Sequence, residues 1–258
     1  MADTKISALT ALTGAAAAQD DLLAIVDTSA ATTKKITREE FFKSVDYISF
    51  DTTNVVAAPT EGQLTWDATD KTLSLGLNGG DVVMQIGQEV HYRVQNNTGT
   101  VIPNGTVCRF AGSLGNSGIL LAAPFLANGT YDSHVIMGVA TEDIANGEDG
   151  LVTYFGKVRG INTNGFTDGA ILYASTTVAG GLTATKPDSP NNIISVCAVV
   201  SAANNGTLFV RPIIEDHWSA VPATATSVGR KGAVAFDASY FYVCVATNTW
   251  KRTPLTTW

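Results

Sequence analysis

Apolar and polar residues alternate along most of this chain with the period of two that sends successive side chains to opposite faces of a β-strand. In the stretch "EGQLTWDATDKTLSL", Leu64 and Trp66 alternate ahead of a polar turn and Leu73, Leu75 and Leu77 alternate after it, which predicts a β-hairpin. Asp67 stands where its side chain can accept hydrogen bonds from the amides of that turn. "LNGGD" (Leu77 to Asp81) then turns the chain into "VVMQIG". Some 170 residues later "KGAVAFDASYFYVCV", Lys231 to Val245, brings a glycine, an apolar residue, an aromatic residue and Asp-Ala in the same order. It predicts a second hairpin, with Trp250 placed to cover one of its faces.

Between these two stretches the strand-like runs "HYRVQN", "TVCRFAG", "ILLAAPF", "HVIMGVA", "GLVTYFGKVRGI", "AILYAS", "IISVCAVVSA" and "TLFVRPI" follow one another. Asn-Gly pairs at Asn104, Asn128, Asn146, Asn164 and Asn205 punctuate them and suit the positive φ angles of tight hairpin turns. Short strands at such spacing predict a central antiparallel β sandwich or barrel, and the spacing fits both. Ahead of them "DLLAIVD" and "KKIT" predict a small hairpin. A short helix should follow, with Thr37 as N-cap, Glu39 and Glu40 in its first turn, and Phe41, Phe42 and Val45 on its apolar side.

The predicted fold class is therefore mainly β. Residues 1–48 form a small hairpin-helix attachment segment, 49–87 a β-hairpin and oligomerisation region, 88–213 the central β domain, and 214–258 a C-terminal β-hairpin region. Leu22, Leu23, Ile25, Val26, Ile36, Phe41 and Phe42 are the candidate attachment residues. Each hairpin buries little area alone and needs a partner surface, most simply the same hairpin of another subunit. Leu64, Trp66, Leu73, Leu75, Phe236, Tyr242 and Trp250 are the candidate oligomer-packing residues.

Composition narrows the function. The 258 residues carry 15% charged and 45% apolar side chains with 24 glycines, which fits a folded β-rich chain rather than a disordered one. A net charge of −7 with no long basic cluster argues against nucleic acid as a partner. The N-terminus lacks a basic region leading into an apolar core, and no run reaches the 18 or so apolar residues that span a bilayer, so neither a secretion signal nor membrane insertion is expected. Cys108, Cys197 and Cys244 lie far apart without metal-site spacing and read as small buried hydrophobes.

The search for chemistry yields little. His91, His134 and His217 fall in separate segments, and no nucleophile elbow, P-loop or dinucleotide fingerprint occurs, so no metal and no cofactor are expected. "TEDIANGEDG" gathers Glu142, Asp143, Glu148 and Asp149, and reads as a solvated turn before it reads as a cation site or an acid/base pair. Trp218, Trp250 and Trp258 read as packing residues ahead of sugar-stacking ones.

"TKISALTALTGAAAAQDDLLAIVDTSAATTKKITREEFF" resembles the N-terminal segment that recurs in tail-fibre and related appendage proteins of tailed bacteriophages. "GQEVHYRVQNNTGTVIPNGTVCRFAGSLGNSG", with "MGVATEDIANGEDGLVTYFGKVRGINT", is similar to a β-rich domain of phage virion proteins, and "GRKGAVAFDASYFYVCVATNTWKRTPLTTW" to a hairpin ending of phage fibres. The resemblance implies a homo-oligomeric, most often trimeric, virion appendage, assembled in the host cytoplasm and docked on another virion protein of the tail, neck or capsid. A glycan-binding module of a short tail fibre, a head fibre and a decoration protein are the alternatives. No active-site motif accompanies the resemblance, so a non-enzymatic protein without cofactors is expected.

Overall fold

The computed structural model of the chain describes residues 22–27, 32–37, 43, 46–53, 58–188, 190–215 and 217–257. It divides into two compact units, Met1–Asp51 and Thr52–Trp258. In the first unit β1 (Leu22–Asp27) pairs antiparallel with β2 (Thr32–Thr37), Leu23 opposite Ile36, which is the expected hairpin. Leu22, Leu23, Ile25 and Val26 lie on β1, and Ile36, half-buried, on β2. Phe41, Phe42 and, apart from Lys43, the expected helix lie outside the described residues.

The second unit begins with a three-stranded antiparallel sheet of β3 (Leu64–Asp67), β4 (Thr72–Leu77) and β5 (Val82–Gln85). Its register sets Leu64 opposite Leu75 and Leu75 opposite Met84 on one face, and Thr65, Ser74 and Gln85 on the other. The burial runs against the usual sense. Ser74 and Gln85 are buried, whereas Leu64 and Ile86 are exposed and Leu73, Leu75 and Met84 only half-buried.

The central strands are β6 (Val90–Asn96), β7 (Val107–Ser113), β8 (Leu120–Pro124), β9 (Ile136–Ala140), β10 (Asp149–Ile161), β11 (Ile171–Ala174), β12 (Leu182–Thr183), β13 (Ile194–Ser201) and β14 (Gly206–Ile214). They form one nine-stranded sheet in the order β12-β11-β13-β14-β10-β6-β8-β7-β9, and β10 also pairs with β9. That last pairing closes β6, β8, β7, β9 and β10 into a ring, so the sandwich-or-barrel alternative resolves into a small barrel extended by four further strands. All pairs are antiparallel except β6 with β8, which is parallel and was not expected.

Strand β10 joins the two parts because it is long: Asp149–Phe155 pairs with β6, and Gly156–Ile161 with β14. The barrel core holds Val94, Ile102, Cys108, Met137, Ile144 and Val152. A second core, under the extension, holds Phe125, Val158, Leu172, Ile194, Val196 and Leu208. Neighbouring residues of β7 and β9 serve different cores: Val107 and Val139 the second, Cys108 and Ala140 the first. Such strands are covered on both faces, which accounts for the unbroken apolar run "IMGVA".

The unit ends in β15 (Val234–Phe236), β16 (Tyr240–Ala246) and β17 (Thr249–Pro254), a three-stranded antiparallel sheet. The expected C-terminal hairpin thus gains a third strand, and Trp250 sits on it, buried with Ala233, Ala235, Tyr242 and Cys244. Among the described residues no helix is long and apolar enough to cross a membrane.

Candidate functional site

Polar side chains converge where the β3–β5 sheet meets β10. Along "GKVRG" the alternation of β10 sends Val158 into the core and leaves Lys157 and Arg159 on the other face. Asp70, in the turn after β3, accepts from both cations, from Lys157 Nζ and at 3.3 Å from Arg159 Nη2. Glu89, whose side chain is 2% exposed, accepts at 3.0 Å from Arg159 Nη1. It also accepts from the Gln85 amide at 2.9 Å and the Lys157 amide at 3.2 Å. Arg159 Nη2 further donates to Gln85 Oε1 at 3.1 Å.

This network fastens the sheet to the barrel. Gly156 makes room for it: with φ at +128°, a Cβ there would stand 2.5 Å from Glu89 Cγ. His91 lies behind, its Nδ1 3.0 Å from Thr153 Oγ1, and its buried Nε2 3.8 Å from Glu89 Oε2 without a hydrogen bond. Burial holds the His91 imidazole below its ordinary value, so the ring is neutral near pH 7.

Beside the network opens a cleft of about 870 Å³, walled by the β3–β5 sheet and by the loops that carry Asn104, Glu142 and Asp143. Two of its carboxylates are pushed in opposite directions. Burial raises Glu142, which accepts at 2.9 Å from the Leu151 amide and from the Asn78 side chain. The amides of Asp70 and Thr69, at 2.9 and 2.8 Å, hold Asp67 below the usual carboxylate range. Asp143 caps the Asn104 amide at 2.7 Å, and Asp81 stands exposed at the edge. The Trp66 indole Nε1 and Asn104 Oδ1 are buried without a hydrogen bond, and the register sets the Trp66 side chain on the sheet face opposite Asp67 and Ser74.

The acidic stretch is thus not one solvated turn. Glu142 belongs to the cleft, whereas Asp149 starts β10 and pairs with Arg93 beside a smaller cavity. Among the described residues no group of three or more His, Cys, Asp or Glu is placed to hold a metal ion. The cysteines are unpaired and buried, and burial pushes the Cys108 and Cys197 thiols to about 12.

The residues expected to pack between subunits fall into three groups. Leu64 is exposed and Leu73, Leu75 and Trp66 are half-buried on the outer face of the β3–β5 sheet. Phe236 is 61% exposed and stacks edge-on against Trp218. Tyr242 and Trp250 are buried in the core of their own sheet and offer little surface to another copy. Sequence reasoning missed Glu89, Asp70 and Arg159. The available signal was Lys157 and Arg159 on one face of a strand otherwise rich in apolar residues, which calls for acidic partners.

Comparison with known proteins adds a source. No family model matches the chain. It is 55% identical over 38 residues, 15% of its length, to a capsule K30/K69-specific depolymerase of Klebsiella phage K64-1. It is 40% identical over 57 residues, 22% of its length, to depolymerase 1, also capsule K30/K69-specific, of Klebsiella phage K5-2. The matches point to a bacteriophage protein of the tail fibre or spike type. They cover only 5% and 7% of those larger relatives. They also correct the expectation of a non-enzymatic protein, since both relatives are named as depolymerases, which are enzymes. The absence of a familiar catalytic motif was a poor guide, because carboxylate chemistry needs only two side chains brought together by the fold.

Proposed function

We propose that the chain is a homotrimeric fibre or spike component of a tailed-phage virion, docked through its N-terminal hairpin unit to another virion protein. The observation that carries this reading is the inverted β3–β5 sheet. Ser74 and Gln85 of its polar row are buried in their own chain, while on the apolar face Leu64 and Ile86 are exposed, Leu73, Leu75 and Met84 are half-buried and Val82 is covered. Such a face is favourably covered by another copy, and three-fold closure covers it on every subunit. The phage relatives support the setting. Light scattering on the eluted protein tests it: a mass near three times 27.0 kDa is expected, and a monomer at micromolar concentration overturns it.

The cleft favours a second reading, in which the chain itself engages capsule or other surface polysaccharide of the host. Glu142, raised by burial, and Asp67, lowered by its amide donors, are a carboxyl pair tuned apart in one cavity, the arrangement that sugar-cleaving sites use. Of the two, Glu142 gives up its proton at the higher pH. Release of reducing ends from purified host capsule, abolished in Glu142→Gln, is the expected result; no release by the wild-type chain removes the cleavage step.

A further inference from the structure

We propose that Asn164 is a site of spontaneous covalent modification, the one Asn-Gly pair of the chain that the fold leaves open to deamidation through a succinimide. Such pairs stand at Asn78, Asn104, Asn128, Asn146, Asn164 and Asn205. In this reaction the glycine backbone nitrogen, which no Cβ shields, attacks the side-chain Cγ of the asparagine before it. The N–Cγ bond forms, the Cγ–Nδ2 bond breaks, and ammonia leaves with the proton of the glycine amide. Water then opens the five-membered imide at one of its two carbonyls, giving aspartate, or isoaspartate when the main-chain carbonyl is hydrolysed. An amide and a water thus become a carboxylate and an ammonium ion, and water is the only co-reactant.

The glycine amides decide which pair reacts. The Gly79 amide donates to Glu61 Oε2 at 3.2 Å, Gly105 to the Ala140 carbonyl at 2.9 Å, Gly129 to Asn192 Oδ1 at 2.9 Å and Gly147 to the Asn96 carbonyl at 2.6 Å. Gly206 is buried and pairs with Ile161 in the sheet. The Gly165 amide has no acceptor among the described residues, and Asn164 and Gly165 are both exposed. A bound amide must give up its hydrogen bond before its nitrogen can lose the proton and swing onto Cγ, whereas the Gly165 amide has none to give up. The comparison is close, because Asn104, Asn146 and Asn164 occupy the same place in turns closed by similar hydrogen bonds, at 3.2, 3.1 and 3.2 Å. The glycine amide is clamped in two of them and open in the third.

The product falls where two connections are clasped together. Asn164 Nδ2 donates to Asn204 Oδ1 and joins the β10–β11 connection to the β13–β14 turn. Beside it the buried Thr163 accepts the Ala203 amide on Oγ1 at 3.0 Å, donates that hydroxyl to the Ser201 carbonyl at 2.8 Å, and donates its own amide to the Ala203 carbonyl at 2.9 Å. Isoaspartate routes the main chain through Cβ and Cγ, a methylene longer, inside a turn closed by the Phe166 amide on the Thr163 carbonyl. The longer turn pulls on Thr163 and loosens the clasp, irreversibly and with age.

The test is peptide mapping by mass spectrometry on the full chain, aged at pH 8 in water enriched in heavy oxygen. Conversion at Asn164 is expected to lead every other pair by about five-fold, the worth of one hydrogen bond, with a heavy oxygen in each product and isoaspartate in excess over aspartate. In urea, where no amide is clamped, the lead should disappear. Glu61→Ala, at an exposed position, frees the Gly79 amide and should raise conversion at Asn78 about five-fold, thermal melts confirming that the variant is folded. Hydrogen exchange on the aged chain should show the Thr163 and Ala203 amides losing protection. Another pair leading in the native chain, a lead at Asn164 that persists in urea, or an unchanged Asn78 in Glu61→Ala each overturn the proposal. Full protection of Thr163 and Ala203 in the converted chain overturns the loosening.

Discussion

Replacing Glu89 by Gln tests the network that fastens the β3–β5 sheet to the barrel. The side chain is 2% exposed and its oxygens take one guanidinium and two backbone amides. Gln keeps the shape but has one oxygen, so its amide nitrogen must face a backbone N–H, donor against donor. Breaking a buried ion pair by removing one partner costs about 3–5 kcal/mol. Here Arg159 is 40% exposed and retains Asp70 and Gln85, so solvent and its remaining partners recover part of that. A loss of about 2–3 kcal/mol follows. At roughly 2–4 °C per kcal/mol for a unit of this size, the Tm falls by about 4–12 °C. Urea and thermal melts at one fixed protein concentration measure it, since assembly would otherwise shift the Tm. Hydrogen exchange adds the location: the amides of Gln85 and Lys157, which donate to this carboxylate, should lose protection first. A loss under 1 kcal/mol, or protection lost evenly over the unit, would refute the network's role.

Asp67→Ala removes the acceptor of two turn amides and should cost about 1–2 kcal/mol, seen as faster exchange across residues 64–77. Because His91 is held below its ordinary value of 6.5 by burial, the unfolded chain takes up its proton first; stability is full above that value and declines as pH falls through it, and His91→Gln should flatten that slope in melts run between pH 7 and 5. Glu142, raised above 4.5, acts in the opposite sense, its contribution being full below that value and lost as pH rises through its folded-state value, so Glu142→Gln should gain on the wild type in melts above it. With Cys108 and Cys197 pushed to about 12 and Cys244 buried, a thiol reagent at pH 8 should label the native chain only after denaturant is added; rapid native labelling of any of them would contradict the core packing.

The sequence made most strands legible because alternation survives wherever one face is buried. It misled where both faces are: "IMGVA" reads as one more strand, with nothing to show that its residues feed two cores. The Asn-Gly pairs were read as tight hairpin turns, yet only their glycines take positive φ, at Gly105, Gly129, Gly147 and Gly165. The primed hairpin turn needs positive φ at both residues, so three of these are tight turns of another kind. Asn104-Gly105, Asn146-Gly147 and Asn164-Gly165 are each closed by a backbone hydrogen bond, Thr106 N–H to Pro103 at 3.2 Å, Glu148 N–H to Ala145 at 3.1 Å and Phe166 N–H to Thr163 at 3.2 Å, with the glycine at the position that type II turns reserve for positive φ. Gly206 has no positive φ and opens β14. The third strand β17 was hidden because Thr249–Pro254 buries one residue, Trp250, and otherwise faces solvent. The clasp on Glu89 joins residues some 70 to 90 positions apart in the chain, a distance over which local pattern carries no signal.

The repeated motif shows how one local device yields two environments. In both copies the aspartate accepts from the amides two and three residues on, Asp67 from Thr69 and Asp70, Asp237 from Ser239 and Tyr240. The register then makes Ser74 and Tyr242 equivalent, each two residues past the partner of the aspartate, and each donates its hydroxyl to the second carboxylate oxygen. The difference is size. Tyr242 fills the space beside Asp237 and joins a closed core with Trp250, so that copy only holds a sheet together. Ser74 fills little, and the space beside Asp67 is the cleft whose lining includes Glu142 and Asn104. The turn is thus the conserved physics of the two copies, and the residue at one strand position decides whether it closes a core or opens a site. Ser74→Tyr puts the second solution into the first copy: release of reducing ends from host capsule should vanish while the β3–β5 sheet stays folded, and a filled cleft that still released them would place cleavage elsewhere.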